Sequence, residues 1–493
     1  MHVSFVSNQN ERRMVLIVAV VALAGLCSYL AFSALAYHVG FPLDDSWIHL
    51  TYARNLAEHG QWAFQLGRPS AGSTAPLWTA LLSIGFWLQL APYVWTYLIG
   101  WITLIAIAVL ADKAARRLIP TYHSTLPWVG IFITLEWHLL WAAASGMETL
   151  LHGLLIFAVL SALTAGSRRY LTLGLLTGLS VWVRPDGLTL LGPILLTSIV
   201  QEKTMNARGQ AIFKMLLGFG ALFVPYLFFN LALSGSPMPN TFYAKQAEYA
   251  IWQAIPLIVR IERYSEPLLA SPFVVLLPGV FLWAYRSFQR GNWGTLMGMI
   301  WFVSYVGVYL MRLPAYQHGR YLMPAMPILF FWGLLGLLEF VLSIFTNKFQ
   351  STLAVFWKLL TAAVSMVFII VGARAYALDV AFIESEMVVT AMWAAQNLPS
   401  EAVLAVHDIG AIGYFDGHEL LDLAGLVSPE VVPFIRDETR LAKYLDEKSA
   451  DYLITFPAFY PQLTAQRSPI FTTNAVFAPE MGGENISVYR WPP

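Results

Sequence analysis

What most constrains this chain is a succession of long apolar runs through its first three-quarters. A helix that crosses a bilayer needs about 20 mostly apolar residues. Runs of that length or somewhat less occur at 14–37, 92–111, 126–144, 150–166, 170–183, 187–201, 214–234, 268–285, 293–311, 322–343 and 352–373. A further apolar stretch, 76–91, is short and lies between Pro76 and Pro92. Only 12% of residues are charged and 58% are hydrophobic, with a mean hydropathy of +0.61. A water-exposed surface needs roughly twice that share of charge. The chain therefore reads as an α-helical polytopic membrane protein.

The first run is too long for the apolar core of a signal peptide and has no small-residue cleavage pattern after it, so it reads as a retained span. Arg12 and Arg13 precede it and place the N-terminus in the cytoplasm by the positive-inside rule. If 76–91 lies in the interface instead of crossing, every later basic cluster falls on the cytoplasmic side. Those clusters are Lys113, Arg116 and Arg117; Arg168 and Arg169; Lys203, Arg208 and Lys214; Arg286 and Arg290; Lys348 and Lys358. The expectation is about eleven crossings, with the C-terminus outside. From 376 onward charges are frequent and no run reaches span length. Short apolar segments at 402–406, 420–421 and 452–456 alternate with helix-like stretches such as 429–447, the pattern of a small α/β domain with a partly parallel sheet. The expected division is 1–375 for the transmembrane part and 376–493 for an extracytoplasmic domain.

The net charge is zero, which gives no field for nucleic acid. The lone cysteine, Cys27, excludes an internal disulfide and a cysteine-based zinc site. No cofactor is expected, and a divalent metal is left open.

Polar residues able to carry chemistry gather on the expected outer side. Asp44 and Asp45 follow the first span and open a stretch, 45–58, with apolar residues at helical spacing. That stretch reads as an amphipathic helix on the membrane surface. Asp44 and Asp45 suit helix capping. They equally suit a base, because adjacent carboxylates repel and raise one pKa. His49, four residues past Asp45, shares its helix face. Glu148 lies in SGMET, Arg184 and Asp186 in VRPDG, Asn240, Tyr243 and Lys245 in PNTFYAK, and His318 and Arg320 in HGRY. Taken singly, Glu148 could cap a helix, Arg184 could pair with Asp186, Lys245 could snorkel and Arg320 could meet lipid headgroups. Together they place acids and bases on one face, opposite the basic loops.

DDSWIHLTYARNLAEHGQWAF, the following PSAGSTAPLWT, and then SGMET, VRPDG, PNTFYAK, GRYLMPAMP and HDIGAIGYFDGHELLDLAGLVSP resemble, in that order, membrane glycosyltransferases of the GT-C superfamily. The resemblance runs from about Pro42 to about Pro429. It is closest to bacterial enzymes similar to a terminal arabinofuranosyltransferase of cell-wall assembly, in a superfamily that also holds protein O-mannosyltransferases and lipid A aminoarabinose transferases. His49 and Thr51 stand where Phe-Arg is common, and Ala75 where Asn is common, departures that bear on sugar or acceptor identity. The resemblance implies a bacterial plasma-membrane enzyme with interfacial helices in its first outer loop. It implies a polyprenyl-phosphate sugar as donor and an envelope glycan, lipid or protein as acceptor, in a reaction expected to be inverting. Asp44 or Asp45 would be the catalytic carboxylate. Arg320, and Lys245 beside it, would face the donor phosphate, with His318, Glu148, Arg184, Asp186, Asn240, Tyr243 and His49 as further substrate-binding positions. The rivals are a transporter or lipid flippase, which should carry charge near the bilayer midplane and paired halves, and a non-catalytic scaffold with an outer binding domain.

Overall fold

The computed structural model describes residues 2–343 and 347–492. Six helices among them are long and apolar enough to cross a bilayer: Gln9–Ala36, Pro92–Leu118, Met205–Ser234, Trp293–Arg312, Gln317–Val341 and Lys348–Asn397. Gln317–Val341 is almost wholly buried, whereas the other five keep large apolar side chains such as Leu16, Phe228 and Val303 exposed, as a hydrocarbon solvent allows. The chain is a multi-pass membrane protein.

The other five expected spans are helical but shorter or broken, so the expected eleven exceeds the helices that reach span length. The run 126–144 divides at Glu136, whose extended backbone separates Trp128–Leu135 from Trp137–Ala144 and whose side chain accepts the Leu139 N–H at 3.1 Å. The run 187–201 opens as a tight turn, Pro185–Leu190, before Leu191–Gln201. Thr149–Thr164 and Tyr170–Val183 hold 16 and 14 residues. Leu257–Leu269 and Phe273–Gln289 meet at 96°. An apolar window cannot see these breaks, because one glutamate or one proline hardly changes its mean.

Loops expected on the same side do meet. Lys113 lies 3.5 Å from Glu11, Arg168 3.6 Å from Glu202, and Arg290 pairs with Glu339. The Asn292 side chain donates to the Thr164 carbonyl at 2.9 Å. Helices approach closely where glycine permits it: a Cβ on Gly336 would lie 1.9 Å from the Gly279 carbonyl oxygen. Pro76–Trp87, at 12 residues, is too short to span.

The stretch expected to lie on the membrane surface does not. Asp45–His59 is a helix, but Ser46 through Ala53 and Asn55 are buried. Its polar residues bond within the protein. Asn55 donates to the carbonyls of Ala63 and Phe64, and Ser46 to that of Ser145.

The expected boundary at 375/376 falls inside one helix, Lys348–Ile383, which runs on through a π-helical turn, Glu384–Val388, into Val389–Asn397. The charges that suggested a boundary there point inward. Glu384 accepts from the Phe41 N–H (3.1 Å) and the Tyr93 hydroxyl (2.9 Å). Glu386 accepts from Thr473, Asn485 and the Ile486 N–H at 2.5, 2.7 and 2.9 Å. The two glutamates tie the sheet domain to the end of the helix and to the loop that follows the first span.

The C-terminal sheet has five strands in the order Glu419–Asp422, Val403–Val406, Tyr452–Thr455, Ser487–Arg490, Phe471–Thr472. The first three are mutually parallel and the last two pair antiparallel, the partly parallel sheet that the apolar spacing predicts.

Candidate active site

A cavity of about 350 Å³ opens between loops at one end of the helices and the sheet domain. Asp44, Asp45, Lys245, Glu248, Arg320, Tyr321, His407 and Asp408 face it, together with an apolar wall that includes Leu43, Ile48, Phe382, Phe456 and Phe459. Residues from four separate regions of the chain converge there.

Asp45 stands in the first turn of Asp45–His59, which aims its side chain across the cavity. Both cations reach the same oxygen: Arg320 Nη2 donates to Asp45 Oδ2 at 2.8 Å and Lys245 Nζ at 3.4 Å. Burial alone would raise the Asp45 carboxyl, but Lys245 and Arg320 outweigh it and hold the group well below the usual carboxylate range. Arg320 also donates to the Tyr321 hydroxyl at 3.2 Å and lies 5.0 Å from that ring's centroid. The separation between Asp45 and Arg320 is a hydrogen bond, so one small phosphate can meet both cations.

Asp44 behaves differently. It makes no capping bond to its own helix. Its Oδ2 accepts the Gly410 N–H at 2.7 Å and its Oδ1 the Ala411 N–H at 2.8 Å, at the start of the helix Ile409–Phe415 in the C-terminal domain. The capping expected of Asp44 is thus real but directed at another domain. The contact is close: a Cβ on Gly410 would lie 2.0 Å from the Asp44 carbonyl oxygen. Burial, and then the carboxylate of Asp408, push the Asp44 carboxyl upward, against the pull of the two N–H groups.

Other residues singled out from the sequence form a second cluster that does not line the cavity. Glu148 Oε1 accepts from Arg184 Nη1 at 2.8 Å, and its Oε2 lies 3.4 Å from His49 Nε2. Arg184 also donates to Asp186 at 3.1 Å, and Asp186 Oδ2 accepts from Tyr305 (2.8 Å) and Tyr309 (2.6 Å). Burial would raise the Glu148 carboxyl, but His49 and Arg184 bring it down to about 2. The pairing of Asp45 with His49 on one face therefore gives way to two separate partnerships, Asp45 with Arg320 and His49 with Glu148 and Ser73. Tyr321 stands between the clusters, its ring stacked 5.4 Å from Tyr309.

Three further positions also lie off the cavity. His318 bonds Asp379 at 2.8 Å, an acid that also accepts from Trp141. The Asn240 N–H donates to the Ala71 carbonyl at 3.0 Å and so ties two outer loops together. Tyr243 is exposed and packs edge-on against Phe242. Asp408, Glu248 and His407 do line the cavity, yet none was singled out from the sequence. The one signal for Asp408 was its place before the apolar helix in HDIGAIGYF. Among the described residues no three histidine, cysteine, aspartate or glutamate side chains are grouped to hold a metal ion.

One family, described as a domain of unknown function (DUF8728), matches residues 379–489. No curated protein matches the sequence. Solved structures match in fold. ArnT from Cupriavidus metallidurans bound to undecaprenyl phosphate superposes with a TM-score of 0.57 at 15% identity, covering 96% of this chain and 97% of that one. The apo state of the same protein gives 0.58 at 14% with the same coverage. The oligosaccharyltransferase of Archaeoglobus fulgidus, in complex with Zn and sulfate, gives 0.61 at 12%, covering 93% of this chain and 71% of that one. Likeness at such low identity concerns the backbone alone, but it spans nearly the whole chain: this is a polytopic membrane protein with the GT-C fold.

Proposed function

We propose that this chain is a membrane glycosyltransferase that takes a sugar from a polyprenyl-phosphate donor and passes it to an envelope glycan, lipid or protein on the outer face. The observation that carries this reading is the convergence of Arg320 and Lys245 on a single oxygen of Asp45, inside a cavity at one end of the helical bundle. Two cations on one carboxylate leave positive charge for a phosphate, and a guanidinium fork matches phosphate oxygens. The apolar wall beside them suits a lipid tail. The ArnT structure with undecaprenyl phosphate bound lends the same ligand class to this fold. The grouping of these charges at one end of the bundle favours an enzyme over a transporter, and their convergence in one cavity favours it over a scaffold.

In the proposed reaction an acceptor hydroxyl attacks the anomeric carbon as the bond from that carbon to the phosphate oxygen breaks. The electron pair leaves with the phosphate, whose growing charge Arg320 and Lys245 stabilise. Attack opposite the leaving group inverts the anomeric centre. Asp45 holds the two cations in register before the donor arrives. Asp44, engaged with the backbone of Gly410 and Ala411, anchors the C-terminal domain over the cavity. Basic loops on the far side support a cytoplasmic position for that face by the positive-inside rule.

Polyprenyl-phosphate sugars extracted from cells lacking the protein, incubated with the purified protein and the envelope of those cells, should yield labelled envelope product. Asp45→Asn should lower the rate by at least about 10²-fold, since it unpairs both cations. No product with any extracted lipid-linked sugar would contradict the assignment.

A further inference from the structure

The proposed transfer releases a proton from the acceptor hydroxyl, and neither residue of the Asp44–Asp45 pair is well placed to take it. Asp44 has a backbone N–H on each oxygen. Asp45 is held ionised by Arg320 and Lys245, and a carboxylate so strongly stabilised is a weak base. Asp408, in the lining of the same cavity, has no such partners. It comes from the C-terminal domain, directly after the strand Val403–Val406 and before the helix Ile409–Phe415, so strand and helix fix its backbone. It makes no capping bond to that helix. Its Oδ2 is sealed from solvent and has no hydrogen-bond partner. An unsatisfied buried carboxylate oxygen is costly and in a native fold calls for a reason. A substrate hydroxyl donating to it would supply one.

We propose that Asp408 is the general base of the transfer, delivered to the cavity by the C-terminal domain and facing the Arg320–Lys245 leaving-group site. This rests on the glycosyltransferase reading above. The acceptor O–H bond breaks and its proton passes to the Asp408 carboxylate. The acceptor oxygen bonds the anomeric carbon, and the bond from that carbon to the phosphate oxygen breaks with its electron pair leaving on the phosphate.

The groups around Asp408 fit a base that works near neutrality. Asp44 and Asp45 face it from the first outer loop, Glu248 from the Asn240–Glu248 helix, and Asp422 and Tyr460 from its own domain. Burial first, and then the charges of Asp45, Glu248 and Asp422, push the Asp408 carboxyl up to about 7. The adjacent histidine is not a rival. His407 Nδ1 bonds the Tyr460 hydroxyl at 2.7 Å, and its Nε2 lies 3.8 Å from Glu248.

The test follows transfer from extracted lipid-linked sugars between pH 5 and 9, alongside binding of undecaprenyl phosphate to the same purified proteins. In the wild type the rate should fall about tenfold per pH unit below roughly 7, where Asp408 is protonated. Asp408→Asn, which preserves shape, should lower the rate by at least about 10²-fold and abolish that acidic limb while binding undecaprenyl phosphate as the wild type does. Asp408→Glu should recover part of the rate with a displaced limb. Should Asp408→Asn misfold, the displaced limb of Asp408→Glu decides. An Asp408→Asn rate within about threefold of wild type, or an acidic limb unchanged in either variant, overturns the role of Asp408 and leaves the transferase reading standing. Wild-type protein that neither binds undecaprenyl phosphate nor transfers sugar overturns that reading first, and the base assignment with it.

Discussion

Two arginine–carboxylate clusters stand on the same face of this protein, separated by Tyr321, and they differ in what they leave open. Around Arg184 opposite charges face one another within the fold: Glu148 and Asp186 bracket the guanidinium, His49 and His152 lie 3.4 and 3.5 Å from the two acids, and two tyrosines close on Asp186, while Glu148 Oε2 and His152 Nε2 make no hydrogen bond. Around Arg320 the account is unbalanced. Two cations share one oxygen of Asp45, and in the lining of the same cavity an oxygen of Asp408 has no partner. A closed ion network holds helices together, whereas one with unmatched charge beside a cavity is arranged for a ligand. Residue type does not separate the two; the cavity beside the Arg320 cluster does.

The comparison breaks most sharply at its two arginines. Arg320→Ala should lower transfer by about 10²–10³-fold with little change in thermal unfolding, since it removes a leaving-group donor at the cavity. Arg184→Ala strands two carboxylates, one of them fully buried, and should destabilise the folded protein by about 3–5 kcal/mol. Thermal unfolding in detergent, run beside the transfer assay, separates the two effects, and equal unfolding losses in both variants would erase the distinction. A smaller effect is expected where the C-terminal domain seats. Gly410→Ala forces a methyl group onto the Asp44 carbonyl and should cost about 1–3 kcal/mol, read as a lowered unfolding midpoint. A further effect is on the pH dependence of stability. Asp408 ionises near 7 when folded and near 3.9 when unfolded, so its contribution to stability is fully present below about 4 and is lost as pH rises through about 7. Asp408→Asn should therefore flatten the loss of stability between about pH 4 and 7, and an unfolding curve that keeps the same pH slope would contradict the burial of that charge.

How far the sequence carries differs between these regions for physical reasons. The membrane class, the short helix at 76–87 and the partly parallel sheet were legible because hydropathy and strand spacing are local signals, whereas the Asp45–Arg320–Lys245 grouping was legible only through the ordered motifs of the resemblance. The break at Glu136 was not, because a window average passes over a single buried acid. The burial of Asp45–His59 was missed because its polar residues meet parts of the chain distant in sequence, Ser46 the Ser145 carbonyl and Arg54 the Tyr414 carbonyl. Asp44 and Asp45 are neighbours in the chain, yet one bonds the C-terminal domain and the other bonds Arg320. No spacing rule separates them.

The central claim is that Arg320 and Lys245 bind the phosphate of a polyprenyl donor, and a structure of the protein with undecaprenyl phosphate tests it most directly. The account predicts phosphate oxygens about 2.7–2.9 Å from the Arg320 guanidinium and the Lys245 amine, with the lipid tail along the apolar wall. A phosphate seated instead at Arg184, or lying outside the cavity on the basic loops of the far face, would contradict it.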